Sequence, residues 1–476
     1  MTAAVLELSV IGSGDDRFLR VAGPSGESLR DFQGAAAEAP GGSVLEGPLS
    51  RANAIAVRAH VPSLRPQPLG LRLSAGVGDR LGLATPGHVR AFRNYGRGIA
   101  PVFAQQSHRE MDRLGRAPQE VLDDATFGAL QAGWDDVVGS DADHLKSIRE
   151  IDSCLAAGFT TFTLDPGDHV RHVGERVSER ELADLPWAGL EDDLAGMRRR
   201  YRHFSLDLGD EVITISQDEL DRAAAKYGAA VAHTVSMYRH LMERAEHPVE
   251  VEVSVDETDD VTTLAEHVFL ATEMKRLGMH WVGFAPRYVG RFEKGVDYIG
   301  DRDALYVSLV KHSRIAQAFG PYKISLHSGS DKFSIYDLAA EATGRVMHLK
   351  TSGTSYLVAV EMAARFEPEL FREIYALSRE AYRGARKSYH VSAQLDRTPG
   401  PETLGPEQMH DLVSDFDCRQ ILHVGYGAVL RTADEQHASH SATLLRKLLG
   451  TQSASYEDAL EAHLGRHLQP FAETPQ

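Results

Sequence analysis

From Ile99 onward the chain alternates short apolar runs with longer amphipathic segments, and this rhythm limits the folds open to it. Strand-like runs are expected at Ile99–Ala104, Phe159–Leu164, Val249–Val255, Trp281–Ala285, Tyr322–Leu326, Val346–Leu349, His390–Ala393 and Gln420–Val424. Between them, segments such as Ala142–Ala157, Glu219–Ala245, Thr262–Leu277, Arg302–Phe319 and Glu369–Lys387 place apolar residues at i, i+3, i+4 spacing, the mark of a helix buried along one face. Eight strands alternating with helices predict an α/β fold, a (β/α)8 TIM-type barrel whose catalytic groups sit at the carboxyl ends of the strands. A doubly wound open sheet would give the same local rhythm.

Residues 1–95 read differently. Short alternating pieces (Val5–Ile11, Phe18–Val21, Ala54–Val61, Leu69–Leu73) are broken by Gly, Pro and Ser clusters, which predicts a small N-terminal α+β domain. The barrel is then expected over 96–476. Between Leu164 and Val249 lie roughly 85 residues, about twice what a βα unit with short loops needs. Residues 169–216 are therefore expected to be an insertion after the second barrel strand, a lid over the mouth, with a hairpin around Leu208-Gly209-Asp210.

Charge and cysteine content remove several function classes. Lys and Arg total 51 against 68 Asp and Glu, a net charge of −17, so no bulk electrostatic footprint for nucleic acid or anionic lipid exists. The two cysteines, Cys154 and Cys418, make neither a disulfide framework nor a thiolate zinc site. No apolar run is long enough for a membrane span, and the N-terminus lacks the basic start of a secretion signal, so a cytoplasmic protein is expected. Walker A, G-x-G-x-x-G, G-x-S-x-G and H-E-x-x-H patterns are missing, which disfavours nucleotide, dinucleotide, serine-hydrolase and zincin chemistry.

Strand alternation then orients the polar residues. If Phe162 and Leu164 face helices, Thr161, Thr163 and Asp165 point inward. The same parity turns His327, His348, Lys350, Glu252, Ser254 and Asp256 inward, with Glu257 just past its strand end. The strand ends also carry Gln106 and Arg287. A hydrogen-bonded core residue is the commoner explanation for any one such histidine. Convergence of so many polar groups on one mouth favours an active site, since each buried without a partner costs a few kcal/mol.

His169, His327 and His348 with nearby carboxylates suit a divalent ion such as Zn, Mn, Fe or Ni. In His327-Ser328-Gly329-Ser330-Asp331-Lys332, Gly329 permits close backbone approach and Lys332 can meet an anion. Thr351-Ser352-Gly353-Thr354 is either an anion-holding loop or a simple helix cap.

At these strand ends the sequence resembles the tagaturonate epimerase family. The resembling segments are 78–88 (Gly78 to His88), 103–107 (Phe103 to Ser107), 254–258 (Ser254 to Thr258), 323–332 (Lys323 to Lys332) and 348–356 (His348 to Tyr356), the last two being the more specific. The resemblance implies a metal-dependent barrel enzyme that inverts C4 of a 2-keto hexuronate, D-tagaturonate to D-fructuronate, with neutral ketohexoses such as D-fructose and D-tagatose as further substrates.

The C4 hydrogen lies β to the ketone and is not acidic, and no nicotinamide fingerprint is present, so retro-aldol cleavage between C3 and C4 is the route left. In this reading His169, His327 and His348 hold the metal (Zn, Mn or Ni), Asp165 is the base and Glu257 the acid, with Asp168 and Asp256 as replacements. Lys350, Arg287 or Lys332 receives the substrate carboxylate, and Gln106 a hydroxyl; Asp256 also contacts substrate. The expected partner is a small sugar or sugar acid, with no nucleic acid and no membrane, and a homo-oligomer is compatible. Other readings are a metal-dependent ketose isomerase or aldolase on the same barrel, or a sugar-binding protein without turnover.

Overall fold

The computed structural model describes residues 6–174, 176–209, 211–431 and 438–473. Strands β1 (Glu7–Ile11), β2 (Phe18–Gly23), β3 (Ala35–Ala39) and β4 (Gly42–Gly47) form an antiparallel sheet in the order β1-β2-β4-β3. Its alternation buries Val10, Leu19, Val21 and Leu45. Helix Arg51–His60 follows, its first turn closed by Ser50, whose hydroxyl accepts from the Asn53 amide.

Eight parallel strands then close a barrel. In chain order they are β5 (Ser74–Gly76), β6 (Ala100–Ser107), β7 (Gly139–Leu145), β8 (Thr161–Leu164), β11 (Glu250–Ser254), β12 (Gly283–Ala285), β13 (Lys323–Leu326) and β14 (Met347–Lys350), with β14 returning to pair with β5. Strands β9 (Ser205–Asp207) and β10 (Val212–Thr214) form the hairpin expected in the long connection; Asp210 lies outside the described residues. Ser-x-x-Glu and Thr-x-x-Glu boxes start several of the outer helices: Ser147 with Glu150, Ser216 with Glu219, Thr263 with Glu266.

The (β/α)8 barrel is as expected, but two of its strands are not where the apolar runs pointed. Segment His390–Ala393 is irregular. Gln420–Val424 is the end of helix Phe416–Val424, which Asp415 caps and which buries Cys418, Ile421 and Leu422 at helical spacing. A short apolar run does not distinguish a buried helix from a strand. The true partners of the closure, β5 and β7, lack such runs: one is Ser-Ala-Gly, the other Gly-Ser-Asp-Ala-Asp-His-Leu. The barrel therefore begins within residues 1–95 and its last strand ends at Lys350. The helices beyond, from Thr354 to Leu468, build a second apolar core around Tyr356, Phe371, Ile374, Ile421, Leu445 and Leu460.

The 169–216 segment starts at the mouth and then packs along the flank. Tyr201 hydroxyl donates to Glu273 at 3.0 Å, Arg200 pairs with the same carboxylate at 3.1 Å, and Arg198 pairs with Asp221 at 2.7 Å. Its contacts hold it to helices Gln217–Arg244 and Leu264–Arg276, outside the barrel. Two of the three consecutive arginines 198–200 thus clamp the segment to its neighbouring helices.

Several of the chain's 22 histidines are buried neutral groups in this frame. Burial lowers His88 and His312 to about 4 and His348 and His467 to about 3. Below the ordinary histidine value the unfolded chain takes up protons that the folded one refuses. Stability should then fall with acidification from pH 6.5 toward 4, by up to ~1.4 kcal/mol per pH unit for each such histidine. Urea unfolding at pH 7.5 and 5.5 measures this, and equal midpoints would show that these rings protonate in place.

Candidate active site

The barrel interior is crossed by charge. Lys350, with a side chain 3% exposed, places its ammonium 2.8 Å from Asp141 Oδ2, 2.7 Å from Asp143 Oδ1 and 2.8 Å from Glu252 Oε1. It also donates to Thr163 Oγ1 at 2.7 Å. Three carboxylates from β7 and β11 thus share one cation from β14. Burial disfavours the charged forms, but Lys350 and His327 reverse this for Glu252, and Lys350, His144 and His327 do so for Asp143; both are held well below the ordinary carboxylate range. Glu252 needs room opposite: a Cβ on Gly283, its register partner on β12, would lie 2.7 Å from Glu252 Oε2.

Above this layer lies a second group. His327, just past β13, donates from Nε2 to Glu252 at 2.7 Å, and its Nδ1 lies 3.2 Å from Asp256 Oδ1. His144, at φ +52° in β7, donates from Nδ1 to Asp165 at 3.0 Å, and its Nε2 faces His327 Nδ1 at 3.2 Å. Asp165 also accepts from the Gly167 amide at 2.8 Å. Burial opposes the His144 cation, yet Asp143, Glu257, Asp165 and Asp256 outweigh it and raise it to about 10. Glu257 lies beside these groups under a two-pronged ion pair from Arg109, at 2.7 and 3.2 Å. Burial would raise Glu257, but His144 and Arg109 bring it down to about 2.

Among the described residues three sets of donor atoms are close enough to share a metal ion: Asp143, His144 and His327; His144, Asp165 and Glu257; and Asp331, His463 and His467, the atoms of each set lying within 4.8 Å of one another. The first set fits a cation well. Two ring nitrogens face each other at 3.2 Å, where both cannot keep protons without repulsion, and a carboxylate stands beside them. Imidazole and carboxylate donors suit Zn, Mn, Fe or Ni.

The expected residues divide accordingly. Asp165, Glu257, Asp256 and His327 are brought together. His348 is not with them: its Nδ1 meets Ser74 Oγ at 2.8 Å and its Nε2 accepts from Gln105 at 3.1 Å, so no lone pair is free. His169 is exposed, stacked on His233 with centroids 3.9 Å apart. His169, His327 and His348, the expected ligand set, are thus not brought together; the groups beside His327 are His144 and Asp143.

Lys332 is buried with its ammonium on the carbonyls of Glu293, Val296 and Ser330 at 2.8, 2.6 and 2.9 Å, a structural role rather than an anion receptor. Lys350 is likewise committed to protein carboxylates. Gln106 points away, toward Arg116 at 3.4 Å, and Gln105 is the residue inside. The pairing of β6 with β7 slips between Val102 and Ala104, and one extra residue exchanges the two faces. Arg287 sits at the mouth beside Arg291, Arg386 and His390.

A family model described as tagaturonate epimerase matches residues 8–471. The chain belongs to the tagaturonate epimerase family. A Tagaturonate/fructuronate epimerase of Thermotoga maritima is 41% identical over 414 residues, covering 87% of this chain and 83% of the relative. The native crystal structure of fructuronate-tagaturonate epimerase UxaE from Cohnella laeviribosi superposes with a TM-score of 0.90 at 32% identity, covering 98% of this chain and 94% of that one. A form of the same protein complexed with one glycerol gives 0.89 at the same identity and coverage.

Lys350 carries the charge balance of the interior. Lys350→Met should leave three buried carboxylates facing one another and cost ~3–5 kcal/mol of stability at pH 8. The loss should shrink toward pH 5.5, as those carboxylates then take up protons; chemical denaturation at both pH values measures it, and an equal loss at each would contradict the account.

Proposed function

We propose that the protein is a metal-dependent carbohydrate 4-epimerase that interconverts D-tagaturonate and D-fructuronate. The observation that carries this reading is the 41% identity, over 87% of the chain, to a relative of that name. The same chemistry extends to D-fructose and D-tagatose, which share the ketone and the C4 hydroxyl.

Asp143, His144 and His327 are the residues that would hold a divalent ion. When bound, such an ion supplies Lewis acidity at the substrate's ketone oxygen. The protein's own part is proton transfer at the C4 hydroxyl. One carboxylate removes that proton, the C3–C4 bond breaks with its electron pair passing to C3 and the adjoining ketone, and an aldehyde forms at C4. After the aldehyde turns, C3 attacks its other face and a second carboxyl group returns a proton to the new C4 oxygen. Asp165 and Glu257 are assigned these exchanges. Arg109 keeps Glu257 ionised, which suits it as proton acceptor in the direction where it acts first, rather than only as the acid expected from sequence. Asp165 is oriented by His144 and the Gly167 amide.

An NMR time course with D-tagaturonate, on metal-free enzyme with and without Mn²⁺, Ni²⁺ or Zn²⁺, tests the reading. Metal-dependent appearance of D-fructuronate is expected; tight metal binding with unchanged substrate would refute it. His327→Ala should lose both bound metal and turnover, whereas His169→Ala should keep its metal, as elemental analysis of the purified variants would report.

Arg109→Met tests the handling of Glu257. Without the guanidinium the carboxyl group should titrate higher, so the acid limb of the kcat/KM profile should move up by at least about one pH unit. An unmoved limb would take Glu257 out of the proton-transfer role.

A further inference from the structure

The epimerase reading requires a receptor for the carboxylate at the far end of the substrate, and the two lysines nearest the barrel axis are already committed. Lys350 is enclosed by Asp141, Asp143 and Glu252, and Lys332 by three carbonyls. Arg109 is locked on Glu257. Cationic groups in reach of the mouth are instead found in a cleft of about 480 Å³ between the loop after β12 and the segment that follows helix Pro368–Ala385.

Arg287 enters this cleft from the barrel, and Arg386 and His390 from the C-terminal helices. Among the described residues, neither Arg287 nor Arg386 has a carboxylate within ion-pair distance, in a chain where acidic groups outnumber Lys and Arg by 68 to 51. The cleft's own acid, Glu293, is taken by Ser392 at 2.6 Å and Gln420 at 2.7 Å, with Arg291 at 3.5 Å.

The cleft adjoins the reacting groups. Burial and Arg287 hold His390 below the ordinary histidine value, and the ring also feels the charges of Glu257, Asp256 and Lys294. Its neighbour Tyr389 carries Arg109, the clamp of Glu257, over its ring at 5.0 Å. An extended six-carbon acid with C4 between Asp165 and Glu257 therefore has a positively charged place for its far end.

Resting on the epimerase reading, we propose that Arg386 and His390, supplied by the C-terminal helices, join Arg287 to form the receptor for the carboxylate of an acidic sugar. The barrel then contributes the chemistry and the added helices contribute preference for the acid over the neutral ketose. A planar guanidinium matches a carboxylate through two parallel hydrogen bonds, which lysine cannot reproduce.

The test is equilibrium binding of D-tagaturonate and of D-tagatose to wild-type, Arg287→Leu, Arg386→Leu and the double variant, by calorimetry, beside steady-state turnover. Each single change should weaken tagaturonate binding by about tenfold and the double change by more than about fiftyfold. Affinity for the neutral D-tagatose should stay within threefold, and KM for the acid should rise far more than kcat falls. Raising salt to 0.5 M should weaken acid binding to the wild type but not to the double variant. Arg386→Lys should recover only part of the loss.

Unchanged tagaturonate affinity in the double variant, with wild-type turnover intact, would overturn the receptor and leave the epimerase standing. Loss of acid binding in the variants, with a wild type that binds tagaturonate without converting it, would uphold the receptor and remove the epimerase reading. Equal losses for acid and neutral sugar would overturn the receptor by showing a general disturbance of the mouth.

Discussion

The interior of this barrel depends on one ammonium group. Three carboxylates, Asp141, Asp143 and Glu252, converge where most barrels place branched apolar side chains, and Lys350 is the cation they share at 2.7–2.8 Å. Removing such a charge is far costlier than never having placed it there, because the remaining charges have no water to turn to. Everything above this layer inherits its geometry. Glu252 fixes His327 Nε2, which aims Nδ1 at Asp256 and His144; His144 in turn steadies Asp165. The ion pairs below the mouth and the histidines and carboxylates within it are one connected polar structure.

That connectedness explains what could be read in the sequence and what could not. Strands such as Val251-Glu252-Val253-Ser254 announce themselves, because apolar residues facing helices alternate with polar ones facing inward. Parity on this strand and on β8 turns Asp165 and Asp256 inward, and the structure brings them near His327 and Glu257 at the strand ends. Strand β7 stayed hidden because its inward residues, Asp141 and Asp143, and its terminal His144 are polar, leaving only Ala142 and Leu145 as an apolar signal. The strand richest in inward-facing charge therefore looked least like a strand. A polar stretch of alternating acids, placed where the barrel rhythm skipped a beat between Ala104 and Phe159, was the clue available.

Other misplacements have equally local causes. One irregular step in β6 exchanged Gln105 for Gln106. Lys332 and Lys350 were expected at an anion because a buried lysine in a sugar-acid enzyme invites that role, and no sequence pattern reveals that carbonyls or carboxylates of the same chain already surround it. His348 has the correct parity but lies a layer too deep, bonded to Ser74 and Gln105. Alternation gives the side of a sheet on which a residue sits, and not its depth.

The seam of the barrel has a consequence for how the chain is made. The first barrel strand, three residues long, is joined to the last, and the Ser74–His348 contact spans 274 positions of sequence. During synthesis from the N-terminus, Ser74–Gly76 must therefore wait, unpaired along one edge, until about three-quarters of the polypeptide has left the ribosome. Contacts this distant are slow to form, and an open strand edge in the interval is a place for intermolecular pairing. A strand so short, and made of Ser, Ala and Gly, offers little to a foreign strand while it waits, so the same poverty of side chains that conceals it in the sequence makes it a safe last clasp.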